Sequence, residues 1–392
     1  MKPSDFGDDS PGQLVDAALP TGQRYWAYVP NPLPPPLRYD DETVALLSEA
    51  DQALGRPDGN GQTLRDPHVL IGPFLRREAV SSSRIEGTTT DMRRLVMFEA
   101  DPTEDAMSAD SVEVMNYVRA LKHGLDSINS RPVTLQLLCE AHELLLAGAR
   151  GPDKTPGRYR ERQNIIGRSG QGPRGARFVP PPVLQMHGAL RDLNDYIPTP
   201  RKIPTLIDLA LIHYQFEAIH PFLGGNGRLG RLLTSLLLRE RGCLRHPLLY
   251  LSSYLEKNKR LYRDRLLSVS RDGDWTAWIR FFLEGVATQS RAAASRCVEL
   301  QGLRERYQEE VRAVSSSSKI HRLIDLLFER PSLTIGGAAE ALGMTGPGVT
   351  NCIWKLEAMG ILEEVTGRAW RRTFLATGII EVIQRSGDSP DR

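Results

Sequence analysis

A mainly α-helical fold is predicted by three features of this 392-residue sequence. Long stretches space apolar residues three and four apart. Two of them, "TLIDLALIHYQFEAIH" and "RLGRLLTSLLLRERG", are apolar almost all round, as helices buried in a bundle are. β-prone pieces are confined to one Gly-, Pro- and Arg-rich segment and to the region before the C-terminal tail. The length exceeds what one hydrophobic core usually supports, so two or three domains are expected.

The hydrophobic share of 40% with 25% charged residues is that of a soluble globular protein. No window approaches the ~18 uninterrupted apolar residues of a membrane helix. Four cysteines, Cys139, Cys243, Cys297 and Cys352, lie far apart without a CxxC pair, which argues against a zinc site and against a disulfide framework. With 50 basic and 48 acidic residues the net charge is +2, so whole-chain electrostatics predicts no nucleic-acid partner and local patches must decide. The start, "MKPSDFGDDSPGQ", has neither the basic residues nor the apolar stretch of a secretory signal. Residues 1–29 are expected as a disordered or extended lead-in, and the cytoplasm as the location.

In chain order, "PNPLPPPL" (30–37) is a proline-dense strap. "DETVALLSEADQALG" then puts Val44, Leu46, Leu47, Ala50 and Leu54 on one face and is expected to end at Gly55. "DPHVLIGPFLRREAVSSSRIEG" continues as helix with breaks, and "SVEVMNYVRALKHGLDSI" and "TLQLLCEAHELLLAG" are amphipathic helices. In residues 151–182 the pieces "NIIG" and "RFVP" flank "RSGQGPRGA" and read as a hairpin. The two apolar helices follow, then "YLEKNKRLYRDRLLSV" and "WTAWIRFFLEGVATQS", and a charged linker helix ending at "SSSS" (315–318). Three more helices and two strands joined at a Gly read as a winged helix-turn-helix.

Between the apolar helices lies "HPFLGGNGRLGR", residues 220–231. A helix end, a Gly-rich turn and a new helix start expose backbone N–H groups without intrahelical partners, and the space before them attracts an anion, phosphate above all. Gly224, Gly225 and Gly227 permit positive φ and close approach, and Asn226 is suited to cap the helix. Arg228 and Arg231, at i and i+3, can face one anion. His220 is placed to take a proton from a hydroxyl attacking the bound phosphorus, and Phe222 to anchor the turn in the core.

These residues resemble the signature of Fic proteins: His, any, Phe, any, Asp or Glu, Gly, Asn, Gly, Arg, two of any, Arg. "GRYRERQNIIG", "RFVPPP", "YLSSYLEKNKRLY" and "WTAWIRFFLEGV" are similar to the long bacterial members, so the resemblance covers most of residues 30–375. It implies a Fic-type helical bundle and transfer of AMP from ATP to a Ser, Thr or Tyr hydroxyl of a target protein or of the chain itself. In that reading His220 is the general base. Gly225, Asn226, Gly227 and Arg228 cradle the α- and β-phosphates, and Arg231 holds the γ-phosphate. The hairpin over residues 165–180 is the flap on which the target docks. The family's acidic position, which helps hold Mg²⁺, is Gly224 here, so Mg²⁺ or Mn²⁺ binding is expected to be weakened and activity impaired. Another nucleotide, hydrolysis of AMP-protein and binding without chemistry stay open. Glu217, three residues before His220, is expected as a structural partner. "SSSRIEG" (81–87) resembles the family's inhibitory motif, with Ser82, Glu86 and Gly87 matching, and implies that Glu86 pairs with Arg231 and blocks the γ-phosphate site.

The expected order is therefore lead-in 1–29, N-terminal helical region with inhibitory helix 30–110, catalytic core 111–290, linker helix 291–317, winged helix 318–376 and tail 377–392. Its recognition helix offers only Lys355 as a cation, whereas Arg368, Arg371 and Arg372 beside Trp370 suit phosphate contact and stacking, so DNA and protein docking are equal expectations. The alternative to an enzyme is a nucleotide-binding, weakly active or inactive regulator that binds DNA. A homodimer stays open, no membrane partner is expected, and Tyr250, Tyr254 and Tyr262 are candidate sites of self-modification.

Overall fold

The computed structural model describes residues 1–63, 68–102, 109–148, 154–167, 172–315 and 317–385. It is mainly helical, with short strands at three places in the chain. Two compact units are formed by interleaved segments: Met1–Gln52, Arg119–Cys243 and Tyr254–Thr288 make the first, and Ala53–Val118, Leu244–Ser253 and Gln289–Arg392 the second. The consecutive division expected from the sequence differs from this pairing, because residues 53–118 group with the C-terminal part of the chain. Among the described residues no helix is long and apolar enough to cross a membrane.

At the centre of the first unit lies the helix Thr205–Ile219, in which every residue but Thr205 and Glu217 is buried. It packs against the helices Val183–Tyr196, Asn226–Glu240 and Lys259–Asp272 and against the strand Arg24–Pro30. Each fully buried Leu or Ile there contributes about 1.5–3 kcal/mol relative to exposure. The polar residues on this helix are hydrogen-bonded, as burial demands. Asp208 accepts from Tyr196 and Arg241, Gln215 donates to the Asn31 carbonyl at 3.0 Å, and Trp278 donates to the Ala210 carbonyl at 2.9 Å. His213 lies between Thr234 Oγ1 at 2.9 Å and the Tyr262 hydroxyl at 2.8 Å. Because Thr234 donates to the Gly230 carbonyl at 3.0 Å, its oxygen accepts from Nδ1–H, and Nε2 accepts from Tyr262.

Four expectations are corrected here. The lead-in is an antiparallel hairpin, Gly12–Ala18 with Arg24–Pro30 and Gly12 opposite Pro30. It burial-locks through Tyr25, Ala27 and Tyr28, the last stacked on Phe6 and packed against Phe178. The helix from Asp41 runs through Gly55 to Thr63. The tail begins with a helix, Thr377–Gln384, which buries Ile379, Ile380, Val382 and Ile383. The linker helix is the continuation of one 40-residue helix, Trp275–Val314.

In the second unit the helix His68–Ile85 packs against the helices Met92–Ala100 and Ser318–Glu329. Arg76 binds Glu99 and donates to the Glu329 carbonyl at 2.9 Å, and Ser332 donates to the Val96 carbonyl at 2.6 Å. Buried Glu78 accepts from the Tyr117 hydroxyl at 3.0 Å and from Ser252 N–H at 3.2 Å. The C-terminal segment runs helix Ser318–Glu329, strand Ser332–Thr334, helices Ile335–Leu342 and Gly346–Ala358, and strands Glu363–Glu364 and Thr373–Leu375. Its sheet has three strands, with Thr373–Leu375 in the middle, where the sequence showed only two.

Candidate functional site

The site is built on the junction of the two central helices of the first unit. The first ends at His220, whose backbone is left-handed at φ 50° and ψ 61°, with its N–H on the Phe216 carbonyl at 3.0 Å. A non-glycine residue holds that conformation at a cost of about 1–3 kcal/mol, so the surroundings must fix it. Arg160 and Asn164 do so. Buried Arg160 donates through Nε to the His220 carbonyl at 3.0 Å and also to the Pro181 carbonyl, and its backbone N–H binds the Pro221 carbonyl at 2.9 Å. Burial lowers the Arg160 guanidinium to about 10, which leaves it charged at neutral pH. Asn164 Nδ2 donates to the His220 carbonyl at 3.2 Å and the Phe222 carbonyl at 2.9 Å.

His220 places Nδ1 3.3 Å from the Glu217 carbonyl. A carbonyl only accepts, so Nδ1 carries a hydrogen, and in the neutral ring the lone pair then sits on Nε2, the tautomer a general base requires. Two residues on, Phe222 is fully buried, as expected, and stacks on His142 with ring centroids 3.9 Å apart. His142 closes the far side of the turn. Its Nδ1 accepts from Gly157 N–H at 3.0 Å, so Nε2–H donates to the Gly224 carbonyl at 2.9 Å. Burial chiefly lowers His142 to about 4 and keeps it neutral, with the nearby Arg228 and Lys154 charges acting in the same direction.

Gly225, at φ 79°, caps the second helix, which begins at Asn226. The expected capping role of Asn226 is corrected: its Oδ1 accepts from Phe222 N–H at 2.9 Å and its Nδ2 donates to the Phe222 carbonyl at 2.8 Å, so the amide staples the turn. Backbone N–H groups of Asn226, Gly227 and Arg228 form the first turn of the helix, where a helix has no internal acceptors for them. Arg228 and Arg231 are 4% and 3% exposed. The two guanidinium groups put positive charge at the junction, and the helix start adds its own positive end. The junction is thus suited to an anion beside a base.

The turn does not fit a divalent cation. Gly224 offers no ligand, and a Cβ there would lie 2.9 Å from Lys154 Cδ and 3.2 Å from Cε, so a lysine stem fills the space. Among the described residues no three of His, Cys, Asp and Glu come together to hold a metal. Glu217 turns instead toward the neighbouring helix, where its Oε1 sits 2.5 Å from the position of a Cβ on Gly230.

His220 and residues 225–231 are brought together in one helix–turn–helix. Ser82, Glu86 and Gly87 lie in the second unit: Ser82 is buried, Glu86 is exposed just past the end of the helix His68–Ile85, and Gly87 supplies the stop at φ 104°. Of the expected flap, one antiparallel bridge, Ile166 to Phe178, and the short helix Gly172–Gly175 are present, while residues 168–171 lie outside the described residues. Tyr250 and Tyr262 are buried, which removes two of the three candidate self-modification hydroxyls from solvent. Arg160, Asn164, His142 and Lys154 were not singled out in the sequence. The first two stand in "GRYRERQNIIG", but spacing does not say which carbonyls a side chain will reach.

The Fic/DOC family profile matches residues 132–238, and the Fic/DOC family N-terminal profile residues 44–126. The chain is a Fic-domain protein. Relatives of this Fic-domain chain include the protein adenylyltransferase Fic of Nematostella vectensis, 29% identical over 236 residues that cover 57% of this chain and 51% of the relative. That of Culex quinquefasciatus is 26% identical over 256 residues, covering 62% and 48%. The Fic-domain chain thus spans about half the length of these curated relatives. A Fic family protein from Desulfovibrio desulfuricans G20 matches in structure with a TM-score of 0.56 at 22% identity, over 88% of this chain and 99% of that one. At that identity the likeness shows the fold. Both relatives are named protein adenylyltransferases, which places nucleotidyl transfer in the family of this Fic domain.

Proposed function

We propose that this protein is an adenylyltransferase that moves AMP from ATP to a Ser, Thr or Tyr hydroxyl of a target protein or of itself. The observation that supports it best is the pairing of His220, with its lone pair on Nε2, and a helix start carrying buried Arg228 and Arg231 across one pinned turn. His220 Nε2 takes the hydroxyl proton and the oxygen bonds to the α-phosphorus. The bond from that phosphorus to the bridging oxygen breaks, and pyrophosphate leaves. Gly225, Asn226, Gly227 and Arg228 hold the α- and β-phosphates through backbone N–H groups and one guanidinium, and Arg231 the γ-phosphate. The segment 165–180 receives the target by strand-like pairing. Glu86, with Ser82 and Gly87, acts as a brake.

Glu86→Gly protein incubated with labelled ATP is expected to incorporate AMP above the wild-type level, and His220→Ala in the same background to abolish it. No incorporation by Glu86→Gly with or without Mg²⁺ or Mn²⁺ would promote the second reading, a nucleotide-binding regulator that acts on DNA. That reading is favoured by the 85% exposure of Trp370 beside Arg368, Arg371 and Arg372, and by the winged-helix order of the C-terminal elements. Salt-dependent duplex binding, lost in Arg371→Ala with Arg372→Ala, is its measurement.

A further inference from the structure

We infer that the Lys154 ammonium supplies positive charge to the phosphate chain of the bound nucleotide in place of a divalent cation. This rests on the reading of the turn as the nucleotide site. The Lys154 stem crosses Gly224, with Cδ, Cε and Cγ 2.9, 3.2 and 3.6 Å from where a Cβ would stand. Any larger residue at 224 would displace it. Lys154 is half-buried, and among the described residues its ammonium has no hydrogen-bonding or ion-pair partner. A cation without a carboxylate partner among the described residues, its stem lying over Gly224, is a contact for an anion.

Its neighbours agree. His142, which donates to the Gly224 carbonyl, lies within electrostatic reach of both Lys154 and Arg228, so the two cations lie near one imidazole. That imidazole is neutral and leaves the positive charge of the turn to Lys154, Arg228 and Arg231. A nucleoside triphosphate carries more negative charge than two guanidinium groups offset, and a third cation at the turn reduces the remainder. With glycine at 224 there is neither a metal ligand nor an acid to neutralise the lysine. An acid at that position would pair with it.

The experiment is calorimetric titration of the full-length protein with ATP, in EDTA and in Mg²⁺. Wild type is expected to bind with affinities in the two buffers that agree within about two-fold. Lys154→Met, which keeps the stem and loses the charge, is expected to weaken binding in EDTA about ten-fold, the scale of one charge-assisted contact. Lys154→Arg should retain binding. Gly224→Asp should weaken binding in EDTA, since the new carboxylate takes the ammonium. Thermal melting of each variant establishes that it is folded. Wild-type binding that requires Mg²⁺, or Lys154→Met binding like wild type, overturns the inference while the nucleotide reading stands. Absence of ATP binding by wild type in both buffers overturns both.

Discussion

Two helix starts in this chain show what makes a charge informative. The helix Asn226–Glu240 follows a left-handed Gly225, is tied to its own turn by the Asn226 amide, and carries two arginines almost fully withdrawn from water. The helix Gly346–Ala358 follows Thr345, has Pro347 in its first turn and no side-chain cap, and shows an exposed Trp354. Both starts have unsatisfied N–H groups in principle. Only the first spends burial energy on cations, and only there does a base stand across the turn. The difference teaches that position relative to water, which one sequence does not display, separates the turn we propose as a binding site from an ordinary helix beginning.

The largest effect that can break this comparison is kinetic. In the Glu86→Gly background, His220→Ala is expected to lower AMP incorporation about 10²–10⁴-fold, the usual contribution of a general base, with ATP affinity nearly unchanged. Arg231→Ala should instead lose affinity, and Arg371→Ala in the C-terminal module should leave both quantities alone. Incorporation that survives His220→Ala would separate the turn from the chemistry.

A smaller effect concerns packing at glycines in the two units. A Cβ on Gly230 would lie 2.5 Å from Glu217 Oε1 and 3.2 Å from Phe216 Cδ1, while nothing lies within 4 Å of one on Gly336. Gly230→Ala is therefore expected to destabilise by about 1–3 kcal/mol through overpacking. Gly336→Ala, inside the helix Ile335–Leu342, should stabilise by about 0.5–1 kcal/mol by restricting the unfolded chain. Urea midpoints check both, and equal shifts would mean that Glu217 moves aside freely.

Much of this arrangement was legible. The apolar periodicity gave the central helices because a helix buried on all sides tolerates few polar residues, and the turn was visible as glycines with arginines at i and i+3. Less was legible where the decisive contact is long-range. His142 stands on an amphipathic helix like any core histidine, and only folding brings it to Gly224. The hairpin at residues 12–30 was hidden by its acidic neighbours, although "RYWAYV" carries the aromatic and β-branched residues of a strand and "PTGQ" its turn. Gly55 did not stop its helix because a Gly inside a helix costs only about 1 kcal/mol. The terminal helix is masked by the polar residues beyond Arg385, although the isoleucines before them form its buried face.

The smallest effect tests burial itself. Burial is the first cause that lowers both His142, to about 4, and His213, to about 3, and both lie in the first unit. An unfolded histidine has a pKa near 6.5, so each ring is neutral when folded and takes up a proton on unfolding as the pH falls below that value. The stability they contribute is fully present above pH ~6.5 and is lost progressively as pH drops toward the folded values. Carboxylates of the unfolded chain titrate nearer pH ~4, so between pH ~6.5 and ~5 the histidines act almost alone. The first unit holds Trp26, Trp275 and Trp278, the last stacked on His213 with ring centroids 5.7 Å apart, and reports on itself once the exposed Trp354 and Trp370 are replaced by Phe. Urea unfolding followed by its fluorescence should show a midpoint that falls steadily across that window, because a proton bound only by the unfolded state lowers stability by up to about 1.4 kcal/mol per pH unit. A flat midpoint would mean that these rings are already charged or solvated in the folded protein, and the pinned turn would lose the neutral imidazole that accepts from Gly157 N–H.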